Sequence, residues 1–274
     1  MKTIAFENKF GPWALVTGGS SGLGVGFAHN LAAKGLNVVL TGRREALLTE
    51  VAQQLEERHG IQTRVVATDL TSDEALDEIR KVTDELDIGT VISNAGVASM
   101  GAMLKIDADE LGRNLKLNTT AHLRISHHFG QRLVERGKGG ILFVGSMAGM
   151  QGTPLGANYA GAKGYVHNLA QALNYELRNS GVHVSVVAPG PTDTPGLNAR
   201  TDIDLAKIPG PVMSVDKLVS IGLKGLAQNK PLVVAGLSNR MMDFMFRRIL
   251  PRQTGRNMMG MMISKHAPRE LKLN

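Results

Sequence analysis

Seven short, continuously apolar runs spaced along the chain constrain the fold more than any other feature. They are Trp13–Thr17, Asn37–Thr41, Thr63–Ala67, Thr90–Ser93, Gly140–Gly145, His183–Ala188 and Leu232–Ala235. Runs rich in Val, Leu and Ile without polar alternation are the mark of strands buried on both faces. Between them, apolar residues recur at three- and four-residue spacing over Phe27–Ala33, Leu47–Leu55, Leu76–Leu86, Ala121–Val134 and Tyr165–Leu177, as in helices. Alternating strands and helices predict an α/β fold with a parallel sheet of about seven strands and helices on both faces. Helix ends are read at Ser72 with Glu74, which opens one helix, and at Gly35, Gly60 and Gly181, which follow three others.

With 274 residues, 43% of them hydrophobic, the chain can bury one sizeable core. It has no cysteine, which excludes disulfides, Fe–S clusters, thiolate zinc sites and a cysteine nucleophile. No apolar run reaches the ~18 residues of a membrane-spanning helix, and the start of the chain lacks a signal-peptide core, so a soluble, cytoplasmic protein is expected. The net charge of +7 is unevenly placed. Residues 240–274 hold Arg240, Arg247, Arg248, Arg252, Arg256, Lys265, Arg269 and Lys272 against Asp243 and Glu270, whereas residues 1–239 are nearly neutral. Seven of the 13 methionines also lie in this tail. The expected organisation is one domain over 1–239 and a basic, Met-rich, helical extension over 240–274. Inside the domain, Pro189–Pro211 is the longest irregular stretch, and such a loop suits a lid.

The first strand runs directly into Gly18-Gly19-Ser20-Ser21-Gly22-Leu23-Gly24, within which a helix begins. Glycines let backbone N–H groups approach a pyrophosphate at a helix N-terminus, so Gly18, Ser20, Ser21, Gly22, Leu23 and Gly24 are candidate dinucleotide contacts. The end of the second strand should read the adenosine ribose, and NAD enzymes place an acid there. Here the sequence is Gly42-Arg43-Arg44. A guanidinium fork matches a 2′-phosphate, so NADP is expected in preference to NAD.

The spacing TGxxxGxG resembles that of the short-chain dehydrogenase/reductase family, and further landmarks follow in order over about residues 11–236. Asp69-Leu70 lies where family members contact adenine, and Asn94-Ala95-Gly96 resembles the motif that lines the cofactor and steadies the sheet. Pro189-Gly190-Pro191-Thr192-Asp193-Thr194 resembles the family's PGxxxT, where backbone and Thr194 would hold the carboxamide, with Pro189, Gly190 and Thr192 as further cofactor contacts. The resemblance implies a Rossmann-type doubly wound sheet.

Ser146 follows the fifth strand, with Tyr159 thirteen residues on and Lys163 four beyond it on the same helix face. A tyrosine hydroxyl can protonate a developing alkoxide if a nearby cation draws its pKa down from about 10. Lys163 can supply that charge and bind the nicotinamide ribose, and Ser146 can hold the substrate oxygen. Asn118 completes the family's Asn–Ser–Tyr–Lys tetrad, in which it is thought to bend a helix and hold a water. The expected reaction is NADP(H)-dependent interconversion of a carbonyl and a secondary alcohol. A non-catalytic dinucleotide sensor or membrane-surface adaptor is the alternative, and such proteins often lose the tyrosine or lysine that this chain retains.

Substrate choice falls to Ala95–Met103, Met147–Asn158 and Pro195–Met213, with Ser146, Met147, Met150 and Tyr159 as candidate contacts. The segment after Ser146 carries no cation to grip an acid, which favours a neutral apolar carbonyl compound, although Arg200 lies within reach of that region. The resemblance covers β-ketoacyl reductases, steroid dehydrogenases and carbonyl reductases alike. It also implies a homodimer or homotetramer formed through the helices that carry Asn118 and Tyr159. His122, His127 and His128 make no metal pattern, and no metal is expected. For the tail, packing on the body or a sister subunit ranks first, a cover over the substrate pocket second, and a membrane-surface helix third. Nucleic acid ranks last, for want of an aromatic platform.

Overall fold

The computed structural model describes residues 6–199, 211–266 and 271–272. Arg200 with the rest of 200–210, Arg269, and the side chains of Arg247, Arg252, Met262 and Lys265 lie outside the described residues. A short helix α1 (Phe6–Phe10) precedes β1 (Trp13–Thr17), α2 (Gly22–Ala32), β2 (Asn37–Gly42), α3 (Glu45–His59), β3 (Thr63–Ala67), α4 (Ala75–Thr83) and β4 (Ile88–Ser93). Then come α5 (Ala108–Asn118), α6 (Thr120–Arg136), β5 (Gly139–Val144), α7 (Ala157–Glu176) and β6 (Val182–Ala188). The chain ends through α8 (Pro195–Asn198), α9 (Val215–Ala227), β7 (Leu232–Val234), α10 (Leu237–Phe244), a π turn at Met245–Ile249 and α11 (Arg252–His266).

All seven strands fall where the apolar runs predict them, and they form one parallel sheet in the order β3-β2-β1-β4-β5-β6-β7. The order reverses between β1 and β4, and a crevice opens there at the strands' carboxyl ends. Along each strand successive side chains enter opposite cores. Ala14, Val16, Val38, Leu40, Leu142 and Val144 face a cluster built on Phe27, Leu31, Leu48 and Leu218 from α2, α3 and α9. Leu15, Val39, Ile141 and Phe143 face the other, built on Ile79, Ile125, Phe129, Leu133 and Val166 from α4, α6 and α7. Phe27 and Phe129 are wholly buried on the two faces, and truncating either to alanine costs about 3–5 kcal/mol.

Several local expectations need correction. Ser72 does not cap α4: the cap position is Glu74, without a side-chain bond, and Ser72 N–H turns back to the Asp69 carbonyl at 2.8 Å. Gly60 does end α3 in a left-handed cap, but α2 and α7 cap at Ala33 and Leu177, with Gly35 and Gly181 in the turns beyond. Among the described residues no helix is long and apolar enough to cross a membrane.

Candidate active site

A cleft of about 810 Å³ lies at the switch point. Its floor is stapled by Thr17, whose Oγ1 accepts from the N–H groups of Asn94 (2.9 Å) and Ala95 (3.0 Å). Asn94 Nδ2 returns a bond to the Thr17 carbonyl at 2.8 Å, so β1 and β4 are tied where the crevice opens. Gly18, Ser20, Ser21, Gly22 and Leu23 form one wall at the start of α2. The cap residue Ser21 makes no side-chain bond to the helix, which leaves the first-turn N–H groups available to an anion. Gly24 does not line the cleft. A Cβ there would stand 2.0 Å from the Gly18 carbonyl oxygen, so its role is to let helix and loop meet.

Arg43 and Arg44 reach the same end, and both are exposed. Arg44 donates to the hydroxyls of Ser20 and Ser21, each at 2.9 Å, and so lies against the glycine loop. Gly42, where an acid would stand in an NAD site, faces Ser20 and leaves that space free of negative charge. Asp69 and Leu70 line the cleft opposite. Asp69 also accepts from the Thr71 amide and hydroxyl, both at 2.9 Å. Burial raises its pKa, but these bonds and the charges of Arg43 and Lys116 outweigh that and hold it below the usual value.

Asn94, Ala95, Gly96, Ser146, Tyr159, Lys163, Pro189, Gly190, Thr192 and Thr194 are brought together at the other end. Thr194 doubles as the cap of α8, accepting from Leu197 N–H at 3.2 Å. Lys163 is 3% exposed, and its ammonium donates to the Val144 carbonyl at 2.9 Å and sits 5.8 Å from the Tyr159 ring centre. Burial lowers its pKa from 10.5 to about 8. Asn118 is buried behind the wall instead of lining it. It ends α5 at the break before α6, and its Nδ2 donates to the carbonyls of Val97 and Asn114, both at 2.8 Å. Its Oδ1 is buried without a hydrogen-bond partner. A Cβ on Gly96 would lie 2.6 Å from that oxygen and 3.2 Å from Lys163 Nζ, so only glycine fits between them.

Met147 and Met150 are not brought to the cleft. They form a short 3₁₀ turn over Met147–Met150, which Ser146 caps by accepting from Ala148 N–H at 3.2 Å. The apolar lining comes instead from Val97, Ala98, Met100 and Leu117, with Thr68 beside Asp69. Val97, Ala98 and Met100 lie within Ala95–Met103, one of the segments expected to govern substrate choice, whereas Leu117 and Thr68 lie outside those segments.

His167 was also missed, although it lies one turn beyond Lys163 on the same face of α7. It is 4% exposed, and its Nε2 accepts from Ser146 N–H at 3.3 Å. A Cβ on Gly145 would stand 2.2 Å from that nitrogen, so only glycine admits the ring there. His122 is buried with Nδ1 2.6 Å from Ser93 Oγ. Burial first and the Lys163 charge second push its pKa well below the usual range, against the Ala95 backbone, and the imidazole is neutral.

A doubly wound sheet with a glycine cradle at its switch point, and a Ser–Tyr–Lys group facing that cradle, defines a dinucleotide-binding α/β protein. The profile of the short-chain dehydrogenase family matches residues 12–203, and the chain belongs to that family as an oxidoreductase. A 7β-hydroxysteroid dehydrogenase from Clostridium sardiniense is 32% identical over 190 residues, covering 69% of this chain and 73% of that one. A solved 7β-hydroxysteroid dehydrogenase superimposes with a TM-score of 0.85 at 25% identity, over 93% of this chain and 99% of that one. A short-chain dehydrogenase from Sphingobium yanoikuyae in complex with NADPH gives 0.77 at 33% identity, over 84% and 91%.

Proposed function

We propose that the protein is an NADP(H)-dependent oxidoreductase that interconverts a bulky, uncharged ketone and its secondary alcohol. The observation that carries this reading is the buried Lys163 beside Tyr159 and across from Ser146, at the end of a cleft whose far end carries Arg43 and Arg44. A pyrophosphate would rest on the N–H groups at the start of α2. A 2′-phosphate would meet Arg44, Arg43 and Ser20, with Gly42 in place of the acid that would repel it. Family membership and the relative solved with NADPH support the cofactor. The 7β-hydroxysteroid dehydrogenases support a rigid polycyclic substrate.

NADPH, when bound, supplies the hydride. Ser146 Oγ donates to the substrate oxygen and holds the carbonyl in place, and Tyr159 delivers the proton as charge builds on that oxygen. Lys163 steadies negative charge on the Tyr159 oxygen. Asn118 Oδ1 accepts from a water that would return protons to Lys163, which accounts for a buried acceptor left without a protein partner. The chamber in front of Ser146 and Tyr159 is lined by Val97, Ala98, Met100 and Leu117, with no cation among them, and therefore suits an apolar body.

Residues 1–239 constitute the catalytic domain in this reading, and 240–274 an arm attached to it. Two copies would pair through α5, α6 and α7, where Leu115, Leu123 and Tyr165 are exposed around an apolar groove floored by Gly161 and Ala162. The test is NADPH oxidation with a panel of cyclic and steroidal ketones. Turnover by the native chain that a Tyr159→Phe variant lacks is expected. Full activity in that variant would overturn the mechanism.

A further inference from the structure

A helix on the surface of a globular protein ordinarily turns its apolar stripe to the core and its polar residues to water. Helix α10 does the reverse. Its Asn239 is 8% exposed and the Oδ1 of Asp243 is buried, while Leu237, Met241 and Phe244 are 71%, 65% and 59% exposed. At about 100° per residue, Leu237, Met241, Phe244 and Met245 share one stripe, with Asn239 and Phe246 on the opposite side. Ile249, 64% exposed, stands beyond that stripe at the end of the π turn. The inner side is fixed by close contacts. Asn239 Nδ2 donates to the Ala235 carbonyl at 2.7 Å, and a Cβ on Gly190 would stand 2.5 Å from that nitrogen. Phe246 packs under α11, where a Cβ on Gly255 would lie 3.1 Å from its Cδ1. Rolling the helix to hide the stripe would tear out both, so the apolar side faces outward by construction.

We propose that this face docks the protein on an anionic phospholipid surface. Leu237, Met241, Phe244 and Ile249 enter the acyl boundary, and the exposed Arg240 and Arg248 meet headgroup phosphates. Charge complementarity selects this occupant. Residues 240–274 hold eight basic residues against two acidic ones. Among the described residues of that arm the one acid is Asp243, which lies half-buried and off the stripe. A second copy seated on the same face would set arginine against arginine, and the pairing proposed through α5, α6 and α7 uses other residues. An anionic bilayer answers both halves of the surface at once, taking the apolar side chains below the headgroups and the guanidinium groups among them. Docking of this kind does not depend on the reaction at Tyr159, and its test needs no substrate.

Co-sedimentation of the full chain with vesicles gives the test. The native protein should bind phosphatidylcholine vesicles that contain phosphatidylserine about tenfold or more tightly than vesicles of phosphatidylcholine alone, and high salt should weaken the preference. Phe244→Glu alters an exposed position, so its melting temperature should match the native one while its affinity for anionic vesicles falls about tenfold or more. Arg240→Gln combined with Arg248→Gln should lose about fivefold for each arginine removed. Met241→Trp reports insertion directly. Its indole emission should shift to the blue on anionic vesicles and be quenched by brominated acyl chains, over the constant background of the buried Trp13, the one tryptophan of the chain.

A native protein that ignores anionic vesicles would overturn the proposal. So would binding that salt abolishes but Phe244→Glu leaves intact, with the indole of Met241→Trp unquenched, since charge alone would then hold the protein. A Phe244→Glu variant that scatters light as a smaller assembly than the native chain, with neither protein bound to vesicles, would assign the face to contacts between copies.

Discussion

Replacing Lys163 by methionine separates what the buried cation does for chemistry from what it does to stability. Methionine keeps an unbranched stem of similar length and removes the charge. In the folded protein burial lowers the lysine pKa from 10.5 to about 8. At pH 7 that difference represents about 3 kcal/mol of cost for keeping the ammonium inside. Against it stands the hydrogen bond to the Val144 carbonyl, whose loss leaves a buried acceptor unpaired at a cost of about 1–3 kcal/mol. The variant should therefore be as stable as the native protein at pH 7, or up to about 2 kcal/mol more stable. Turnover should fall about a hundredfold or more.

The pH dependence gives the sharper result. Between pH 8 and 10.5 the unfolded lysine still holds its proton while the folded one has lost it, so the native protein gains stability as pH rises through this window. The gain is about 1.4 kcal/mol per pH unit, and the variant lacks it. Urea denaturation of both proteins from pH 7 to 10 measures the difference directly, since other titrating groups cancel. A native protein that loses ground to the variant over this range would refute the argument, as would a variant more than about 2 kcal/mol less stable at pH 7.

Four other outcomes are expected. Gly24→Ala places a methyl where the Gly18 carbonyl already lies, and calorimetry should find NADPH binding weakened by about tenfold or more. Arg44→Ala should raise the Kd for NADPH on the order of tenfold and leave that for NADH nearly unchanged; equal effects would remove the arginine from cofactor choice. His167→Leu takes the acceptor from Ser146 N–H and should lower kcat without altering NADPH affinity, whereas His167→Gln, which keeps an acceptor, should recover part of the loss. Leu123→Glu puts a carboxylate into the apolar groove beside α7, and light scattering should show smaller assemblies than the native chain forms.

The sheet was legible because a strand buried on both faces leaves an unbroken apolar run, and all seven such runs became strands. Helices α5 and α9 were harder to see. Over Ala108–Asn118 only Asn118 is buried, so no wide apolar stripe announces α5. The strength of the Ser146, Tyr159 and Lys163 spacing is that it follows from one helix and one strand end. Met147 and Met150 present the converse case: they stand in a single 3₁₀ turn that composition does not encode. The bond of His167 to Ser146 N–H lies beyond any local pattern, because its partner is brought close only by tertiary packing.

The bonds from α7 to either side of Gly145 carry a consequence for how such a protein can vary. Lys163 grips the carbonyl just before that glycine and His167 the amide just after it, so a slip of one residue along the helix would break both. The catalytic spacing is therefore set by these two anchor points and by the turn at Ala148–Gly149 that packs on α7. Ala148, whose N–H bonds Ser146 Oγ, and Gly149, where a Cβ would stand 2.6 Å from the Lys163 carbonyl carbon, must stay in place, but the chain between Gln151 and Leu155 could be exchanged while the hydroxyls of Ser146 and Tyr159 keep their places. Substrate preference can then be rewritten in that interval while the reaction stays fixed.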